Sequence, residues 1–238
     1  MEYFTTTSKA TNRSADCIIV GVYERGALGA AAKDIDAASG GEISRRIKSG
    51  DVSPNVGEAT VLNNVSGVRA ERVIVAGLGK ASKLDQAAFR KALKASISKV
   101  SKTKSRQLIS FLNLENVSGS SPYYLARATA ESIGDALYRF TEMKSGRKPP
   151  VMPLKKIGIA ITKRGDARKA ELGARHGDAI NLGVSLAKDL GNLPGNVCTP
   201  SHLARTAQKL AKNNAKLSVK VLNEPEMKRL GMNTLLSV

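Results

Sequence analysis

The sequence predicts an α/β protein built on a mostly parallel sheet with helices on both faces. Three observations carry this. The runs Cys17-Ile18-Ile19-Val20-Gly21-Val22 and Arg72-Val73-Ile74-Val75-Ala76-Gly77 are too continuously apolar for strands with a wet side. Segments of helical period lie between such runs, as parallel crossovers require. Glycine is frequent, only 4% of residues are aromatic and tryptophan is absent, which favours α/β over an all-β protein. A chain of 238 residues has length for one large domain, or for one domain and part of another, with a substantial core.

The elements follow in order. Residues 17–23 read as a buried strand, 26–39 as a helix and 42–49 as a short basic helix. Residues 58–65 alternate as a strand, and 72–79 form a strong strand ending in a glycine turn. In the next predicted helix, 84–104, Phe89, Leu93, Ile97 and Val100 fall at spacings of 4, 4 and 3, one apolar stripe. Strand 107–112 precedes a helix opened by Ser121-Pro122, with Leu125, Thr129, Ile133, Leu137 and Phe140 on one face. Residues 144–153 read as a basic, proline-containing linker and 156–161 as a strand. The long helix 166–190 is expected to turn Leu172, Ile180, Gly183, Ala187 and Leu190 inward. Helices at 201–213 and 224–230 flank a strand at 218–222, where Leu217, Val219 and Val221 alternate with Ser218 and Lys220.

Composition narrows the function classes. No apolar run approaches the ~18 residues of a membrane span, and Met1-Glu2-Tyr3-Phe4-Thr5-Thr6-Thr7 lacks the basic and apolar regions of a signal peptide. Two distant cysteines, Cys17 in a strand and Cys198 in a loop, suit a reduced, cytoplasmic protein. Thirty-eight Lys and Arg against twenty Asp and Glu give a formal charge of +18, an excess that attracts polyanions.

Most catalytic motifs are missing. Gly77-Leu78-Gly79-Lys80 lies where a phosphate loop would lie, but Ile74 and Ser82 stand where the two glycine-rich patterns need glycine. It reads as a tight turn, with ADP-ribose binding the alternative. The only histidines, His176 (a half-buried helix position) and His202 (a surface position), cannot build a His-rich metal site. No Gly-x-Ser-x-Gly elbow occurs, and Asp34 and Asp36 point apart on a helix.

One stretch carries an identity: Lys188-Asp189-Leu190-Gly191-Asn192-Leu193-Pro194-Gly195-Asn196-Val197-Cys198-Thr199-Pro200. It resembles the loop entering the catalytic domain of the leucyl (cytosol) aminopeptidase family, bacterial aminopeptidase A type, where Asp-Leu-x-Asn-x-Pro-x-Asn-x-Cys-Thr-Pro is typical. Leu203-Ala204, Lys209-Leu210-Ala211 and residues 226–232 continue the likeness; Gly195 departs from it, standing where the family usually has a second proline.

The resemblance implies a macro-domain-like α/β domain over 1–165, a connector helix over 166–191 and the first elements of a second, catalytic α/β domain over 192–238. It further implies a cytoplasmic homo-hexameric enzyme that releases N-terminal residues from peptides with two divalent metals, manganese or zinc. The family's acidic and lysine ligands, and its assisting lysine and arginine, sit on motifs that follow the position of Val238. No metal ligand and no catalytic residue is therefore expected in this chain, which should be inactive alone and serve in assembly and positioning.

The basic clusters are the remaining candidates. Arg90, Lys91, Lys94, Lys99, Lys102, Lys104 and Arg106 face no acid within their stretch; Lys144, Arg147, Lys148, Lys155, Lys156, Lys163, Arg164, Arg168 and Lys169 face only Asp166. All but Lys99, Arg106 and Lys144 are assigned as candidate nucleic-acid contacts. Some family members bind DNA through this region, so the resemblance supports phosphate-backbone contact; no base-reading module is visible. A solvated face and a linker are the plainer reading.

Overall fold

A computed structural model describes residues 1–143, 145–146 and 153–237. Six strands form one sheet in the order β1-β6-β5-β2-β4-β3. They are β1 (Glu2–Thr6), β2 (Cys17–Val22), β3 (Ala59–Asn63), β4 (Arg72–Gly77), β5 (Gln107–Ser110) and β6 (Lys156–Ala160). All neighbours run parallel except β3 and β4, a hairpin at one edge. The predicted α/β class with a mostly parallel sheet is therefore the fold of this chain.

Both faces are covered. In the central strand β2, Cys17 and Ile19 join the core cluster that holds Phe89, Leu93 and Ile97. Ile18, Val20 and Val22 join the opposite cluster with Ile35 and Ile43. The first cluster packs under α3 (Gln86–Val100) and α4 (Pro122–Leu137), the second under α1 (Ala30–Ala38) and α2 (Glu42–Lys48). This two-sided burial is why β2 can be apolar at every position. Asp85 caps α3 by accepting from the Ala88 N–H at 2.8 Å, and Ser121 caps α4, whose first turn holds Pro122.

Several boundaries shift for local reasons. The 26–39 helix starts only at Ala30, because Arg25 (φ 60°) and Gly26 (φ 75°) form a left-handed turn first. Helix α3 stops at Val100, so Lys102 and Lys104 lie in a turn, and Phe140 lies past the end of α4. Strand β1 was not expected; it is short and polar and pairs only with β6. The expected linker over 144–153 falls mostly outside the described residues.

The largest correction concerns α5 (Ala167–Asn192). Leu172 and Ile180, expected inward, are 41% and 39% exposed, and Gly183 and Ala187 are exposed too. The buried residues are Ala170, Gly173, Ala174 and Gly177. A Cβ on Gly173 would overlap the Tyr123 carbonyl, and one on Gly177 would sit 2.6 Å from the Arg127 oxygen. The helix approaches the α4 backbone so closely that large side chains cannot lie between them. On α4 in turn, Gly134 leaves room for Asn181, which donates to the Ala130 carbonyl at 2.8 Å. His176 is exposed rather than half-buried, its Nδ1 2.8 Å from the Tyr123 hydroxyl.

Chain contacts divide the molecule into Met1–Ser185 and Leu186–Val238. The second unit holds the end of α5, then α6 (Pro200–Lys212), α7 (Glu224–Arg229) and α8 (Asn233–Leu236). Thr199 caps α6 through the His202 N–H, and Asn223 with Glu226 forms a capping box on α7. Residues 218–222 pair with no strand among the described residues, contrary to expectation. Alternation alone does not make a strand; a neighbour must take its hydrogen bonds.

Candidate functional site

The glycine turn after β4 is built as a joint. The N–H groups of Gly77, Leu78 and Gly79 donate to the carbonyls of Glu58, Val22 and Pro54 at 3.0, 2.8 and 2.8 Å. Gly79 has φ +68°. With these donors spent on the protein, the turn has none of them to offer a phosphate.

The carboxyl ends of the parallel strands hold a second candidate. Connections leave β5 and β2 in opposite directions across the sheet, so the crevice beyond these two strands is its topological switch point. Helix α1 begins there, and its N-cap residue Gly29 provides no capping side chain. Glu115, from the loop after β5, enters this space and is only 8% exposed. Its Oε2 accepts from the Tyr23 hydroxyl at 2.7 Å, while Oε1 has no partner in bonding geometry. Burial pushes its carboxyl up; the Tyr23 hydrogen bond, the Ala30 N–H and the Lys33 charge pull it back only in part. A depression of about 280 Å3 shares Ala30 and is also lined by Lys9, Asp34 and Phe111. Sequence reasoning passed over Glu115. The available signals were a lone acid after a strand and a glycine before an alanine-rich helix without a capping side chain.

The basic candidates do not form one surface. Lys102, Lys104, Lys155 and Lys156 gather at the amino edge of the sheet, where the Lys155 and Lys156 N–H groups both donate to the Arg106 carbonyl. Lys163, Arg164, Arg168 and Lys169 lie past the other end of β6, about 16 Å of strand away. Lys91 and Lys94 are exposed on α3. Arg90 is engaged: it donates to the Tyr124 hydroxyl at 3.0 Å and to Glu131 at 2.6 Å, and Glu131 also accepts from Arg127. Lys156 pairs with Glu2 at 2.9 Å and lies over the Phe4 ring. Arg147 and Lys148 lie outside the described residues.

Among the described residues no three His, Cys, Asp or Glu side chains are grouped to hold a metal ion. No described helix is long and apolar enough to cross a membrane. The loop after α5 is closed locally: the Val197 and Cys198 N–H groups both donate to the Pro194 carbonyl at 2.9 Å. Nothing in it converges on a reacting atom.

Comparison with known proteins places these features. The N-terminal domain of the cytosol aminopeptidase family matches residues 19–147, more than half of the chain, and the catalytic domain of the same family matches 185–238. The chain belongs to the cytosol aminopeptidase family. A probable cytosol aminopeptidase from Alkalilimnicola ehrlichii is 38% identical over all 238 residues, which cover 48% of that protein. One from Paraburkholderia xenovorans is 40% identical over 224 residues, 94% of this chain and 44% of its own. This family member thus spans about half the length of the curated relatives it matches. Among solved structures, the bottromycin maturation enzyme BotP is similar at TM-score 0.67 and 29% identity, over 92% of this chain and 41% of BotP. It has also been solved in complex with Mn. A mutant tomato leucine aminopeptidase shares the fold at TM-score 0.80 and 19% identity, over 97% of this chain and 46% of its own.

Proposed function

We propose that this chain is the N-terminal portion of a metal-dependent aminopeptidase that releases N-terminal amino acids from peptides in the cytoplasm. Its share of that work is assembly and positioning. The observation that supports the reading most is the tandem of family matches, an N-terminal domain followed from residue 185 by the start of a catalytic domain. The domain plan is 1–165, a 166–191 connector and 192–238. In a full-length enzyme two divalent ions, manganese or zinc, would activate water and polarise the scissile carbonyl. The residues here do not fit that role, so no chemical step is assigned to them. The macro-like character of the first domain and a homo-hexameric enzyme belong to the same proposal.

The test is direct. The 238-residue chain, supplied with Mn2+ or Zn2+, should leave leucine p-nitroanilide intact. A version extended to the length of its relatives should cleave it and elute as a larger assembly. Robust metal-stimulated cleavage by the 238-residue chain would overturn the reading.

A second reading concerns the charge. Lys102, Lys104, Lys155 and Lys156 come from separate parts of the sequence yet share the amino edge of the sheet, which supports contact with a polyanion backbone such as DNA. Binding that ignores salt between low and moderate ionic strength, or survives neutralisation of these four lysines, would end it.

A further inference from the structure

Open α/β sheets take ligand phosphates at the switch point, where a helix N-terminus offers N–H groups and the positive end of its dipole. This chain has the switch point, the helix start and an adjoining depression of about 280 Å3. It also has a carboxylate already in place. We propose that the Glu115 carboxyl group is a resident plug: it occupies the phosphate position at the start of α1, closes the crevice to nucleotide polyphosphates and packs the loop after β5 against that helix.

The packing is specific to this arrangement. A Cβ on Gly29 would overlap Glu115 Oε1 and would sit 2.8 Å from the Gly21 carbonyl oxygen. Glycine at 29 is therefore the condition for the carboxylate to approach the helix end. Tyr23, at the end of β2, holds the second oxygen at 2.7 Å. One side chain from the loop after β5 is thus bonded to the residue after β2 and packed against the start of α1. The charged groups around it are Lys33 on α1, with Asp34 and Lys9 lining the depression. A bound polyphosphate would have to displace a buried side chain that fills the helix start and then pass the Asp34 carboxylate.

Inorganic pyrophosphate is the probe, read by the backbone amide signals of Ala30, Ala31 and Ala32 in the whole chain. In the natural protein they should not move. Glu115→Ala should empty the position and bring pyrophosphate affinity up by roughly tenfold or more, with shifts centred on Ala30. Glu115→Gln keeps the volume and the Tyr23 contact and should stay closed. Pyrophosphate shifts at these amides in the natural protein overturn the proposal, as does a folded Glu115→Ala protein that takes up no anion. Should Glu115→Ala fail to fold, the natural protein decides. Its Ala30 amide should titrate with the same midpoint as the Glu115 side-chain carboxyl carbon, and an Ala30 amide indifferent to that titration overturns the assignment.

Discussion

The two units of the chain treat apolar surface in opposite ways. In residues 1–185 nearly every strand and helix sends side chains such as Ile19, Ile74, Phe89 and Leu93 to zero exposure. In residues 186–237 no described residue is buried, and Leu203, Leu210, Leu217, Val219, Val221, Leu230 and Leu235 are 41–61% exposed. Helices α6 and α7 of the second unit are well capped, so local signals are sufficient to start them. Caps contribute about 1 kcal/mol each, whereas burial of one large apolar side chain contributes about 1.5–3 kcal/mol. Unit one has both sources of stability and unit two has mainly the first.

Core truncation gives the largest expected contrast. Leu93→Ala should cost about 3–4 kcal/mol in urea unfolding, since a fully buried leucine leaves a cavity. Leu203→Ala and Leu210→Ala, at 46% exposure each, should cost less than about 0.5 kcal/mol in the same experiment. Equal costs would mean that the second unit has a core of its own. Next in size is the α4–α5 contact. Gly173→Val should cost about 1–3 kcal/mol, because the added side chain meets the Tyr123 carbonyl and the helices must part. Gly183→Val, with open space around Gly183, should be nearly neutral.

Those glycines mark where the sequence was readable and where it was not. The strand runs at 17–22 and 72–77 announce themselves because burial on both faces demands continuous apolar residues. The inner face of α5 did not, because Ala170, Gly173, Ala174 and Gly177 are buried for their smallness, and hydrophobic periodicity weighs large residues. The same rule misled at Leu172 and Ile180. Strand β1 was missed since Glu2, Thr5 and Thr6 dilute its pattern and only pairing with β6 makes it a strand. At the candidate sites, the failure of Gly77–Lys80 as a phosphate loop was visible from spacing. The role of Glu115 was not, because it depends on a glycine 86 positions earlier in the chain.

Two acids within unit one, the buried Glu115 and the half-buried Glu131, should respond to pH with opposite signs. Burial pushes Glu131 up, but hydrogen bonds from Arg127 and Arg90 outweigh it and hold the carboxyl below its ordinary range. A depressed carboxyl adds stability above its unfolded value, lost as pH falls through the folded value. Glu115 is raised, so it favours the fold at low pH and that contribution is lost as pH rises through the folded value. Melting curves between pH 3 and 8 should therefore lose acid sensitivity in Glu131→Gln, at a cost of about 1 kcal/mol at neutral pH. Glu115→Gln should lose the opposing slope. Identical slopes in both variants would contradict the assigned environments.

The smallest effect on stability is also the sharpest probe of the two units. Cys17 sits at zero exposure in β2, and burial pushes its thiol up to about 12. The thiolate is the reactive form, so at pH 8 Cys17 should be protected by both burial and protonation. Cys198 is half-buried in a loop whose N–H groups turn back on Pro194. A disulfide reagent should therefore titrate one thiol in the native chain and two after denaturation, with Cys198→Ser abolishing the native reaction and leaving the melting temperature unchanged. Since Cys17 becomes reachable only when β2 leaves the sheet, its labelling rate then reports the opening of unit one alone. A Cys17 that reacts as fast as Cys198 would dissolve the contrast between a closed first unit and an open second one.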